Sequence, residues 1–127
     1  MERLIRSFHE VLTKGNIEAL RSILTDDAIL DFGPFRFENL SEIEKWAIGL
    51  RKIFTHFGFR ESSIGIIGDE VTSEFTLRVI GPNAVRGRLQ CLAKYSVKNG
   101  RIRRVSVKPS KGFLEITFGD IMRMMLI

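Results

Sequence analysis

The second half of this chain alternates apolar and polar residues, and glycine-bearing turns cut the alternation at regular intervals. Val71, Ser73, Phe75, Leu77 and Val79 share one parity, while Glu74 and Arg78 fall on the other. Successive side chains of an extended strand leave opposite faces, so a period of two predicts a sheet with one covered and one wet face. Gly58, Gly68-Asp69, Gly81-Pro82-Asn83 and Asn99-Gly100 mark the turns. They divide the segment into strands over about 59–67, 70–80, 84–98 and 101–108. Asn99-Gly100 between Val97 and Ile102 has the residues of a tight hairpin. Four strands joined this way make an antiparallel meander.

The first half has the period of helices. Leu4, Ile5, Phe8, Val11 and Leu12 form one apolar stripe, Gly15 is placed to end that helix, and Asn16 to cap a second. The second helix carries Ile17, Leu20, Ile23 and Leu24, and a short strand, 28–32, follows until Gly33-Pro34 breaks it. Ser41 and Glu44 have capping-box spacing ahead of Ile43, Trp46, Ala47, Leu50, Ile53, Phe54 and Phe57. Three helices followed by a curled sheet predict an α+β domain with the helices on one sheet face.

A length of 127 residues suits one domain with a core of its own. No apolar run approaches the 18 or more residues of a spanning helix, and Met1-Glu2-Arg3 lacks a signal-peptide layout. One cysteine, Cys91, makes no internal disulfide, and with two histidines it makes a poor metal set. The expectation is a reduced, cytoplasmic protein without membrane partner or cofactor. Scarce Asn, Gln and Cys beside plentiful Arg, Lys and Ile suggest a thermophile. Charge is unevenly spread. Residues 1–74 hold nine Lys/Arg against thirteen Asp/Glu, whereas residues 75–114 hold ten basic residues and no acid.

Gly15-Asn16-Ile17-Glu18-Ala19-Leu20, then Leu24-Thr25-Asp26-Asp27-Ala28 running into a strand, Trp46 in the third helix, and Tyr95-Ser96-Val97-Lys98-Asn99-Gly100-Arg101-Ile102 form an ordered set. In this order the chain, over about residues 2–109, resembles the nuclear transport factor 2-like superfamily, which includes ketosteroid isomerases and SnoaL-like polyketide cyclases. The resemblance implies a cystatin-like cone: three N-terminal helices packed on a curved antiparallel sheet around an apolar cavity, with residues 110–127 as a C-terminal extension. Function does not follow, because one such fold hosts many activities. With Phe75 facing the cavity, as the resemblance implies, Val71, Ser73, Leu77 and Val79 join it. So do Val85, Gly87, Leu89, Cys91, Ala93, Tyr95 and Val97 on the next strand, and Val105 and Val107 on the last. Glu74, Arg78, Arg86, Arg88, Gln90, Lys94, Lys98, Arg104 and Lys108 then face out.

Ketosteroid isomerases use a carboxylate base and an oxyanion hole of a tyrosine and a protonated aspartic acid. Aligned on the resemblance, those positions hold Phe32, Phe8 and Ala93, none of which can move a proton. Asp31 has the opposite parity to Phe32 and rescues the mechanism only through a strand bulge. The Asp–Arg–Asp set of related epoxide hydrolases has no counterpart, since Arg78 and Glu74 face out. His9 and His56 could act as acid or base, but each lies beside an apolar stripe and reads as a boundary residue. Cys91, among inward apolar neighbours, reads as an inert core thiol and not a nucleophile. Asp26-Asp27 reads as a turn and not as a metal site.

The leading expectation is a non-catalytic domain whose cavity is filled or takes a small lipophilic ligand against Phe8, Phe32, Trp46, Phe75, Leu77, Cys91, Ala93 and Tyr95. A second expectation is nucleic-acid or other polyanion binding through Arg78, Arg86, Arg88, Lys94, Arg104 and Lys108. A third is an isomerase, dehydratase or hydrolase with an unrecognised site. The tail adds a strand-like run from Phe113 to Phe118 and an apolar cluster of Ile121, Met122, Met124, Met125 and Leu126. Covering it in a homodimer is favoured over folding it across the cone's mouth. Pairing through the basic sheet face would set like charges together.

Overall fold

Helix α1 (Glu2–Lys14) forms where its apolar stripe requires, burying Ile5, Phe8, Val11 and Leu12. Gly15 ends it in the left-handed conformation (φ 75°), its N–H donating to the Val11 carbonyl. A side chain there would be strained by that φ, and its Cβ would lie 2.8 Å from Arg51 Nε. In this computed structural model the described residues are 1–81 and 86–114, with the backbone alone described for 110–114. A short 3₁₀ turn (Ile17–Ala19) leads into α2 (Leu20–Ile23). Asn16 stands at the cap position of that turn but makes no side-chain cap bond. Its backbone (φ −81°, ψ 73°) lies outside the extended region from which a cap side chain reaches back.

Strand β1 (Leu24–Phe32) turns through Gly33-Pro34 into β2 (Phe35–Phe37), a strand too short to show any alternation. Helix α3 (Leu40–Ile53) then covers the sheet, burying Leu40, Ile43, Trp46, Ala47 and Leu50. Its cap is not Ser41 with Glu44. Asn39 Oδ1 accepts from the Glu42 N–H at 2.9 Å, and Glu42 Oε2 accepts from the Glu38 N–H at 2.7 Å. Burial of Leu40 starts the helix sooner than the expected box, and Glu44 instead meets Arg21 at 3.4 Å.

Strands β3 (His56–Ile67), β4 (Glu70–Ile80), β5 (Arg86–Lys98) and β6 (Arg101–Leu114) form the expected meander, each paired antiparallel with the next. Asn99 and Gly100 both have positive φ, as the tight β5–β6 hairpin requires. The sheet as a whole is mixed and not antiparallel. Its order is β2-β1-β6-β5-β4-β3, and β1 runs parallel to β6, with Phe32 beside Val107. A strand reached before the helical crossover lands in the middle of the sheet in this direction, a placement local alternation does not reveal. The architecture is three helices on an open six-stranded sheet, α+β as expected. Val85 and the tail residues beyond Leu114 lie outside the described residues.

Candidate functional site

The two faces of β4 and β5 separate as their parity requires. Val71, Ser73, Phe75, Leu77, Val79, Gly87, Leu89, Cys91, Ala93 and Tyr95 are buried. Glu74, Arg78, Arg86, Arg88, Gln90, Lys94, Lys98, Arg104 and Lys108 are exposed, and Val97 is half-buried. Phe8, Phe32, Trp46, Phe75, Leu77, Cys91, Ala93 and Tyr95 therefore belong to one buried cluster between helices and sheet. The aromatic rings form two groups within it. Phe32 and Phe37 lie against Trp46, at ring separations of 6.1 and 5.9 Å. Phe59, Phe75 and Tyr95 gather with Phe8 around a residue not expected to be there, His9.

His9 is buried, not a boundary residue, with 7% of its surface exposed. Its position follows from α1: it stands one residue after Phe8 and four after Ile5, on the shoulder of the covered stripe. Phe59 stacks on the imidazole at 4.5 Å with planes 10° apart. Nε2 lies 2.6 Å from the hydroxyl of Tyr95, whose residue is 1% exposed. Burial lowers the His9 pKa to about 4, opposed by the nearby Glu61 carboxylate, so the ring is neutral at pH 7. Burial, followed by Glu61 and Cys91, pushes the Tyr95 hydroxyl up. The two groups are thus a neutral hydrogen-bonded pair in apolar surroundings.

One side of His9 is reached from outside. A concavity of about 310 Å³ between α1 and β3 is lined by Arg6, His9, Glu10, Thr13, Lys14, Phe59 and Glu61. At its rim Arg6 Nη2 donates to Glu61 Oε1 at 3.1 Å. On the inner sheet face Tyr95 pairs with Val71, which makes Ser73 its diagonal neighbour, opposite Ala93. Ser73 Oγ and Trp46 Nε1 are buried without a hydrogen-bond partner. Such orphans are uncommon in a finished core, and a polar guest or water would satisfy them.

The other candidates are placed differently. Cys91 is buried, with Sγ 3.9 Å from the Leu89 carbonyl, and burial raises its pKa to about 12. Asp31 faces out, where Arg36 Nε donates to it at 2.7 Å and Arg104 Nη2 at 2.9 Å. Partial burial pushes its carboxyl up, but the two guanidiniums outweigh this and hold it below the usual range. Arg104 is therefore engaged by Asp31 and not free on the basic face. His56 is exposed at the start of β3. No three of the described His, Cys, Asp and Glu side chains come together as a metal would require, and no described helix is long and apolar enough to cross a membrane.

The sequence pattern of the SnoaL-like domain matches residues 5–105, most of the chain. The chain belongs to the SnoaL-like family. No curated protein matches it in sequence. Solved structures share its fold at low identity. A candidate scytalone dehydratase from Novosphingobium aromaticivorans superposes with a TM-score of 0.77 at 16% identity, covering 91% of this chain and 85% of that one. An LEH-like epoxide hydrolase from M. tuberculosis gives 0.76 at 18%, covering 98% and 87%. A candidate polyketide cyclase from Sinorhizobium meliloti gives 0.73 at 15%, covering 85% and 95%. This SnoaL-like chain shares with them its helices on a curled sheet; its site must be read from its own residues.

Proposed function

We propose that this SnoaL-like domain binds a small, mainly apolar molecule through one polar group, anchored by His9 and Tyr95. The observation that carries this reading is the 2.6 Å contact between His9 Nε2 and the buried Tyr95 hydroxyl, with His9 itself lining the concavity between α1 and β3. His9 and Phe59 give the concavity an aromatic wall while Arg6, Glu10, Lys14 and Glu61 stand around it, which suits a guest with an apolar body and a hydroxyl or carbonyl. Ser73 Oγ, diagonal to Tyr95, is a further donor or acceptor for it.

Binding is favoured over proton transfer by the acid–base strength of the pair. An imidazole with a pKa of about 4 is a weak base at neutral pH, and a tyrosine pushed up by burial is a weak acid. Efficient general acid–base catalysis wants values near the working pH. The pair is better suited to holding a ligand than to moving its protons, which supports a non-catalytic domain.

Thermal unfolding with a panel of lipophilic alcohols, phenols and ketones tests this, because a ligand bound only by the native state raises the melting temperature. The expected result is a rise for some members, weaker for hydrocarbon analogues and lost in Tyr95→Phe measured against its own ligand-free midpoint. No response across the panel, or an undiminished response in Tyr95→Phe, sinks the reading.

We further propose a homodimer covering the apolar C-terminal residues Ile121, Met122, Met124, Met125 and Leu126. Mass in solution of the full chain and of a chain truncated after Lys111 tests it. A full-length monomer refutes the dimer, and a truncated dimer removes the tail from the interface.

A further inference from the structure

The outer sheet face carries a cluster of cations that form no ion pair among the described residues. Arg78 on β4 stands directly opposite Arg88 on β5, and the next outward pair is Ile80 with Arg86. Ile80 is also paired with His56 on β3, and Gly58 stands beside Arg78. Directly opposed side chains of antiparallel strands lie about 5 Å apart at Cβ, and like charges there oppose folding. Among the described residues the ion pairs use Arg6, Lys14, Arg21, Arg36 and Arg104, so none involves Arg78, Arg86 or Arg88.

These three arginines, His56, Ile80 and the backbone at Val79 and Gly87 line a concavity of about 370 Å³. Gly58 helps to shape it. A Cβ there would lie 3.1 Å from His56 Nε2, so the imidazole rests over backbone that glycine leaves bare. Guanidinium forks match the oxygens of phosphate, and the volume suits a small ligand.

We infer that this concavity is an anion site for one phosphoryl group of a small molecule, held by Arg78, Arg86 and Arg88 with His56 at the rim. A compact anion fits better than a long polyanion because Arg78, Arg86 and Arg88 converge on one concavity, whereas Lys108, opposite Leu92 on β6, does not line it. Lys94 lies six residues further along β5, about 20 Å away, and Arg104 is taken by Asp31. This site is on the opposite sheet face from His9 and Tyr95 and does not depend on the ligand proposed for them.

The test is calorimetric titration and thermal unfolding of the full chain with inorganic phosphate, pyrophosphate, phenyl phosphate and a single-stranded oligonucleotide, against potassium chloride at matched ionic strength. Saturable one-to-one binding of a phosphoryl compound is expected, weakened at least tenfold in Arg88→Gln and Arg78→Gln. Both variants should melt no lower than the parent without anion, because each removes a like-charge opposition. Preference for phenyl phosphate identifies an ester as the ligand type, and preference for inorganic phosphate or pyrophosphate identifies the free anion; either supports the site. A response matched by potassium chloride overturns it, as does undiminished affinity in both variants. So does oligonucleotide binding that depends on Lys94 and Lys108 without any response to the small phosphates.

Discussion

His9 on α1 and Tyr95 on β5 lie 86 residues apart in the chain and meet at 2.6 Å inside the core. The contact ties the first helix to the centre of the sheet by the polar tips of two otherwise apolar-packed rings. Because both are buried, each is the other's hydrogen-bond partner in the core, and their pairing couples stability to pH and to each other's presence.

Stability should fall as pH drops from about 6.5 to about 4. The unfolded chain takes up a proton on His9 near the ordinary value of 6.5, whereas the folded chain resists until about 4. Over that window the unfolded state binds more protons, so the contribution is complete above it and lost through it. The gap corresponds to about 3 kcal/mol. Urea unfolding at pH 7.5 and 4.5 should show this loss in the parent chain and a loss smaller by about that amount in His9→Gln. Equal losses would remove His9 as the cause.

Tyr95→Phe keeps the ring and deletes the hydroxyl. It leaves His9 Nε2 buried without its partner, which costs about 1–3 kcal/mol. Denaturant midpoints at pH 7.5 measure the difference, and an unchanged midpoint would show that water takes the hydroxyl's place.

The Cys91 thiol should resist alkylation. Its burial and its pKa of about 12 leave almost no thiolate at pH 8. Mass spectrometry after iodoacetamide should find the native chain unmodified and the urea-unfolded chain modified once. Rapid labelling of the native chain would place the thiol at an open site instead.

The cap of α3 is Asn39 and not the expected Ser41. Asn39→Ala should cost about 1 kcal/mol, while Ser41→Ala should be near neutral. Thermal midpoints of the two variants decide it, and the reverse order would reinstate Ser41 as the cap.

What the sequence made legible was whatever is set by neighbours along the chain. The period of two in Val71 to Val79, the Asn99-Gly100 turn and the stripe on α1 each carry their own structural instruction. The parallel pairing of β1 with β6 carries none, because it depends on where a distant strand docks. Three-residue β2 is shorter than the pattern that would announce it. In the site, the inward parity of Tyr95 is readable, yet the pattern of β5 does not say which residue of α1 its buried hydroxyl meets. His9, the polar residue on the shoulder of that helix's stripe, was the available answer. The apolar cluster was readable residue by residue, but the close pairing inside it depends on how α1 seats on the sheet.

The place of β1 also bears on how the protein is made. Leu30 and Phe32 on β1 are flanked by β2 on one side and by Val105 and Val107 of β6 on the other. Until residues 101–108 have left the ribosome, β1 has only a three-residue hairpin partner and one open edge. The nascent chain can form α1 and the β3–β4 hairpin early, but its sheet cannot join its two halves until β6 arrives. While residues 38–100 are being made, one edge of β1, with Leu30 and Phe32, therefore stays open, the condition under which chaperones bind and chains aggregate.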